Sequence, residues 1–140
     1  MADEISIHDN RVYAYNVDCD NRTLTLHTVY PHREPREWTD VIFQSVVAHH
    51  FDHVLQSNIL YDITEMDVEA LVKEQSNLFG DSWRFAWPFV EYKGDLGALA
   101  QTLKKNFVKA YCVDSSLGLS GWVLASGCTR RSRAEQAVLP

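Results

Sequence analysis

Three of the six histidines of this 140-residue chain lie within five positions, in the stretch VVAHHFDHV. His49, His50 and His53, together with Asp52, offer imidazole and carboxylate groups that can bind a metal or transfer a proton. Successive side chains of a strand point to opposite faces, so a strand separates His49 and His53 from His50 and Asp52. A metal site on His49 and His53 needs a third ligand, and no H-E-x-x-H motif supplies one. We therefore expect ordinary strand histidines and no cofactor.

Carboxylates form the second group with chemical potential. Five of them fall within thirteen residues: Asp62, Glu65, Asp67, Glu69 and Glu74. Paired carboxylates can perform acid–base hydrolysis, but helix capping and compensation of the helix dipole explain several of these more simply. As a surface, they would attract a basic protein partner, with Trp38 as a candidate anchor residue.

The serine-rich and aromatic stretches give weaker signals. The sequence Gly118-Leu119-Ser120-Gly121 is one residue short of a nucleophile elbow and is typical of a hairpin turn. No phosphate-binding glycine motif is present. In WRFAWPF, alternation places Trp83, Phe85, Trp87 and Phe89 on one face of an extended segment, where they would close a core or line a small-ligand pocket.

Charge and cysteine content narrow the class of protein. The formal net charge is -6, and residues 129–140 contribute three arginines and one glutamate, so residues 1–128 carry -8. An acidic body disfavours nucleic acid as a partner. Three cysteines without a C-x-x-C motif indicate reduced thiols, and neither a signal peptide nor an apolar run of membrane-spanning length is present. These features predict a cytoplasmic protein that does not bind membranes.

The elements that must position these residues follow from periodicity. The predicted strands are a hairpin over 11–30 and the extended stretches 40–54, 58–63, 109–114 and 121–126, with a loop over 31–40. One helix begins near Thr64 or Asp67 and stops at Gly80, and a second begins after Asp95.

This order of elements predicts an α+β domain over residues 1–128. Its mostly antiparallel sheet would have about five to seven strands, with two helices packed on one face. A local parallel crossover between the strands at 59–63 and 109–114 remains an alternative. Residues 129–140 are expected to form a flexible or short helical tail.

The general pattern over residues 10–128 resembles small, acidic, uncharacterised bacterial domains of the toxin-immunity type. The stretches that carry the resemblance are TDVIFQSVVAHHFDHVLQSNILYDI at 39–63, GDLGALAQTLKK at 94–105 and SSLGLSGWVLAS at 115–126. The resemblance implies a non-enzymatic protein that neutralises a basic toxin domain through an acidic surface. Two alternatives stay open: a small metal-binding protein or hydrolase that uses His49, His50, Asp52 and His53, and a small-ligand-binding domain with an aromatic pocket. The oligomeric state and the partner are left open.

Overall fold

The computed structural model describes residues 5–88 and 92–139 of the chain. Within them, eight strands form one antiparallel sheet, accompanied by three α-helices and one 3-10 turn. The strands are β1 Arg11–Asp18, β2 Thr23–Tyr30, β3 Glu37–Gln44, β4 Ala48–Asp52, β5 Asn58–Met66, β6 Lys109–Leu117, β7 Ser120–Ala125 and β8 Gly127–Arg133. The helices are α1 Val68–Glu74, α2 Ser76–Ser82 and α3 Leu96–Lys105, and the 3-10 turn is Trp83–Phe85. The α+β class with a mostly antiparallel sheet is therefore confirmed.

The sheet closes on itself because its two outermost strands, β4 and β8, continue strands that lie at the opposite end of the strand order, β3 and β7. The order is β4-β7-β6-β5-β1-β2-β3-β8. Strand β3 leads into β4, and β7 leads into β8, so the β3–β8 and β4–β7 pairs are consecutive parts of one long antiparallel ladder. This ladder joins residues 38–44 to 127–133 and residues 48–52 to 120–124.

Alternation along each strand divides the apolar residues between two cores. The inner core lies inside the closed sheet and receives side chains from every strand; Leu26, Phe43, Leu60 and Val123 are among its fully buried members. The outer core lies between the helices and the outer face of β4, β6 and β7, where Trp122 and Leu124 contact the helical layer. Because neighbouring residues of β7 alternate between the cores, this strand reads as a continuous apolar run.

Local signals in the sequence correctly predicted several elements. The hairpin of β1 and β2 turns at the Asp18–Asn21 segment, where the backbone N–H of Asn21 donates to Asp18 Oδ1 at 3.1 Å. Asp67 caps α1 by accepting from the N–H of Ala70, and Asp95 caps α3 in the same way.

The counts and some boundaries of the predicted elements were wrong. The single helix expected up to Gly80 is two helices, because the chain breaks at Gln75, and Gly80 lies inside the second of them. The extended stretch 40–54 is split between β3 and β4, and strand β3 begins inside the predicted loop. The parallel crossover is also wrong, since β5 and β6 pair antiparallel. None of the described helices is both long and apolar enough to cross a membrane.

The prediction of a tail from residue 129 was wrong for its first part. Residues 129–133 continue β8, which pairs with β3 over its whole length. Beyond the strand, the chain stays anchored because the N–H of Ala137 donates to Tyr13 Oη at 3.0 Å and Ala137 is buried. The segment lacked visible periodicity because it combines an arginine-rich strand with an irregular anchored end.

Candidate functional site

The structure separates His49 from His50 and Asp52, as the strand pattern predicted, but the predicted place of His53 beside His49 on the strand was wrong. His50 stacks on Trp122 with ring centroids 6.1 Å apart, and its Nδ1 lies 3.7 Å from Asp52 Oδ2. His49 packs instead against Phe51, and burial, followed by the neighbouring His50, lowers its pKa, which keeps the ring neutral at pH 7. His53 lies beyond the end of β4. In the part of the chain that the structure describes, no three His, Cys, Asp or Glu side chains form a metal-binding group.

Three of the predicted partner-binding carboxylates are paired with lysines. Lys104 Nζ lies 2.7 Å from Glu69 Oε1 and 3.9 Å from Asp67 Oδ1, and the hydrogen bond from Lys104 to Glu69 is the largest cause of the raised Lys104 pKa. Glu65 Oε1 lies 3.6 Å from Lys109 Nζ. Each of these three carboxylates therefore has a lysine nearby, and the two lysines offset part of their negative charge.

The other two carboxylates of the predicted set, Asp62 and Glu74, lie near Asp114 and a cleft beside it. Asp62 stands opposite Asp114 in the β5–β6 register, a like-charged pair that costs stability. Glu74, at the end of α1, lines a cleft of about 220 Å³ between that helix and the outer face of β4, β6 and β7. Asp52 and Asp114 line the same cleft, which we call the acidic cleft.

Charge in the acidic cleft is unbalanced. Among its described lining residues are the three carboxylates of Asp52, Glu74 and Asp114, and there is neither a lysine nor an arginine. All three carboxylates are exposed, and His50 is the only imidazole among the described lining residues. The three carboxylates give the cleft a negative charge to which a cationic side chain would be attracted.

A buried tryptophan, Trp122, forms part of the floor of the acidic cleft. Trp122 is 4% exposed and packs against Phe79 and Trp87 with ring centroids 5.4 and 5.8 Å away. The Trp122 indole Nε1 is buried and has no hydrogen-bond partner within the described residues. The neighbouring Gly121 carries no side chain, which lets strand β4 approach closely.

Cys112 lies in the acidic cleft but is poorly suited to act as a nucleophile. Its Sγ lies 3.6 Å from Asp114 Oδ1. Burial, and after it the negative charges of Asp114 and Glu74, raise the pKa of the thiol. The thiolate is the reactive form, so these surroundings suppress its chemistry at neutral pH.

We expect the substitution Asp114→Asn to accelerate alkylation of Cys112 by iodoacetamide at pH 8 by roughly two- to threefold, because removing a nearby negative charge lowers the pKa of the thiol. Mass spectrometry of the modified peptides measures the rate. The exposed Cys19 provides an internal reference whose rate should stay constant. An unchanged Cys112 rate would contradict the electrostatic coupling between these two residues.

Trp38 and the aromatic segment do not join the acidic residues in one surface. Trp38 is part of β3 and packs edge-on against Tyr13 at 5.5 Å, away from the helical layer. The aromatic residues of 83–89 do not share one face, since Phe85 is 84% exposed whereas Trp87 stacks on Phe79 at 5.1 Å. Phe89 lies outside the described residues.

A buried polar network on the outer face of β2, β3 and β8 was not predicted. His27 Nδ1 donates to Asp40 Oδ1 at 2.8 Å, and Arg133 Nη1 donates to Asp40 Oδ2 at 3.1 Å. His27 and Asp40 are 7% and 5% exposed. Alternation along β2 and β3 places His27 and Asp40 on the outer face of the sheet. The register that makes them direct partners could not be predicted from the sequence.

Family models, curated proteins and solved structures were compared with this chain, and none matches it.

Proposed function

We propose that this protein is a non-enzymatic binding protein whose acidic cleft receives a basic segment of a partner protein. The observation that carries the proposal is the set of three exposed carboxylates, Asp52, Glu74 and Asp114, gathered without a lysine or arginine among the described lining residues. Elsewhere, the carboxylates of Glu65, Asp67 and Glu69 are accompanied by lysines. A lysine or arginine side chain entering the cleft would place its positive charge among these three carboxylates.

The charge of the whole chain supports the same partner. The net charge of -6 attracts a basic protein from a distance, and the cleft then provides local contacts. An immunity protein that blocks a basic toxin domain, as the resemblance implies, is one form of this function. Co-expression with the products of adjacent genes tests that form, and a stable complex with a basic toxin-like protein is expected.

A hydrolase or metal-binding protein built on the histidine cluster has less support. His49 and His50 lie on opposite faces of β4, and the cleft on the His50 side contains a thiol whose pKa is raised rather than lowered. The histidine-rich strand therefore contributes one edge of the acidic cleft through His50 and Asp52.

Titration with hexalysine, followed by ¹⁵N NMR at low salt, tests the proposed cleft. We expect shifts in the backbone amides of Glu74, Asp114 and Trp122, because these residues line the cleft. The double variant Glu74→Gln with Asp114→Asn should bind about five- to tenfold more weakly, as expected for the loss of two exposed charge contacts.

A matched control separates local binding from net charge. The double variant Asp20→Asn with Asp81→Asn removes the same two charges from exposed positions outside the cleft. It should retain most of the affinity of the unmodified protein. Equal weakening by both double variants would show that only the overall charge matters and would overturn the proposed cleft.

A further inference from the structure

The long ladder that closes the sheet contains a bulge at residues 45–47. Ser45 adopts a left-handed backbone with φ 51°, and so does Arg22 with φ 53°. The N–H of Val46 donates to the carbonyl of Arg22 at 2.7 Å, while the N–H of Val47 donates to Leu124 at 2.8 Å. The bulge therefore joins the tip of the β1–β2 hairpin to the ladder, and bulges of this kind often lie beside functional sites.

The bulge forms one wall of a cavity that lies between the ladder and the C-terminal half of α3. Its volume is about 840 Å³, within the range of sites for small organic molecules. Val46, Val47, Leu103 and Val108 supply apolar surface. The helix side contributes the hydroxyl of Thr102 and the amide of Asn106, and the ladder side contributes the hydroxyls of Ser45 and Ser126.

The charge in this cavity is opposite to that of the whole protein. Arg22 is the one charged residue among its described lining residues, and no carboxylate lines it. No ion pair of Arg22 occurs within the described residues. An adjoining cleft of about 370 Å³ shares Arg22 and contains Asp18, whose carboxylate oxygens accept hydrogen bonds from Asn21; Asp18 does not line the cavity itself.

We propose that the cavity beside Arg22 binds a small organic carboxylate with an apolar body. The guanidinium of Arg22 would hold the carboxylate by charge-assisted hydrogen bonds, while the valine and leucine surfaces cover the apolar chain. This site shares no lining residue with the acidic cleft, so it is independent of the proposed binding of a basic partner.

Titration with sodium octanoate, followed by ¹⁵N NMR, tests this site. Shifts are expected at Val46, Val47, Leu103 and Asn106. Octylamine, which has a similar chain but a positive head group, should not produce them, and inorganic phosphate, which has no apolar body, should bind much more weakly. Arg22→Gln should reduce the octanoate affinity about tenfold or more, because it removes the charged donor.

Two further variants complete the test. Arg36→Gln removes one positive charge from an exposed loop outside the cavity and should leave the affinity unchanged. Thr102→Phe places an aromatic ring in the cavity while Arg22 stays in place, and it should abolish the octanoate shifts by filling the space for the apolar chain. The proposal is overturned if octanoate shifts no cavity residue, if octylamine binds equally well, or if Arg22→Gln retains the original affinity.

Discussion

Alanine at position 121 is expected to destabilise the protein by about 3 kcal/mol or more, because the site offers no room for a side chain. An added Cβ would lie 1.9 Å from the carbonyl oxygen of His50 and 3.0 Å from the Cα of Phe51. Both atoms belong to the backbone of β4, so a rotamer change cannot relieve the overlap. Strand β4 would have to move away from β7, and with it one part of the ladder that closes the sheet.

Urea unfolding followed by tryptophan fluorescence measures the effect of Gly121→Ala. The matched control is Gly80→Ala in α2, where an added Cβ meets no atom within 4 Å. Alanine there should be neutral or stabilise the protein by about 0.5–1 kcal/mol, since it lowers the entropy cost of the helix. If both variants had the same stability as the unmodified protein, the close approach of β4 to Gly121 would be incorrect.

The second large effect is expected from Asp40→Ala, which should cost about 3–5 kcal/mol because it leaves partners of a buried charge uncompensated. Asp40 accepts hydrogen bonds from His27 and Arg133, and both Asp40 and His27 are buried. Alanine removes both hydrogen bonds and leaves the guanidinium of Arg133 without its carboxylate. The anchored segment after β8 should loosen as well, which hydrogen exchange at Ala137 would detect.

Two comparisons make the Asp40 experiment specific. Asp52→Ala removes a carboxylate that is exposed and lies near a histidine at 3.7 Å, so it should change the stability by no more than about 0.5 kcal/mol. Replacing all three members of the network, His27, Asp40 and Arg133, with apolar residues of similar size should recover much of the loss, since no charged group is then left without its partner. A loss below 1 kcal/mol for Asp40→Ala would argue against the network.

Local chemistry made some of these features predictable. The turn at Asp18–Asn21 and the cap at Asp95 depend on hydrogen bonds between residues a few positions apart, so the sequence contains both partners. The separation of His49 from His50 follows from the geometry of any strand.

The remaining features depend on partners that are distant in the sequence. The acidic cleft takes Asp52 from β4, Glu74 from α1 and Asp114 from β6, and only the register of the closed sheet brings them together. Of the carboxylates between 62 and 74, only Glu74 lines this cleft, while Glu65, Asp67 and Glu69 have Lys104 and Lys109 nearby, which lie more than thirty positions further along the chain. Strand β8 was not predicted because its arginines give it no apolar alternation. Their partners, such as Asp40 for Arg133, lie far away in the sequence.

The long ladder also determines when the fold can form during synthesis on the ribosome. Arg133 and Asp40, which meet across β8 and β3, are 93 positions apart. The edge of β3 that pairs with β8 therefore stays unpaired until nearly all of the described chain has been translated. Contacts of such wide separation slow folding, so the nascent chain exposes the apolar side chains of its inner core for most of its translation. Chaperones that bind apolar segments would therefore act on this protein chiefly before the residues of β8 leave the ribosome.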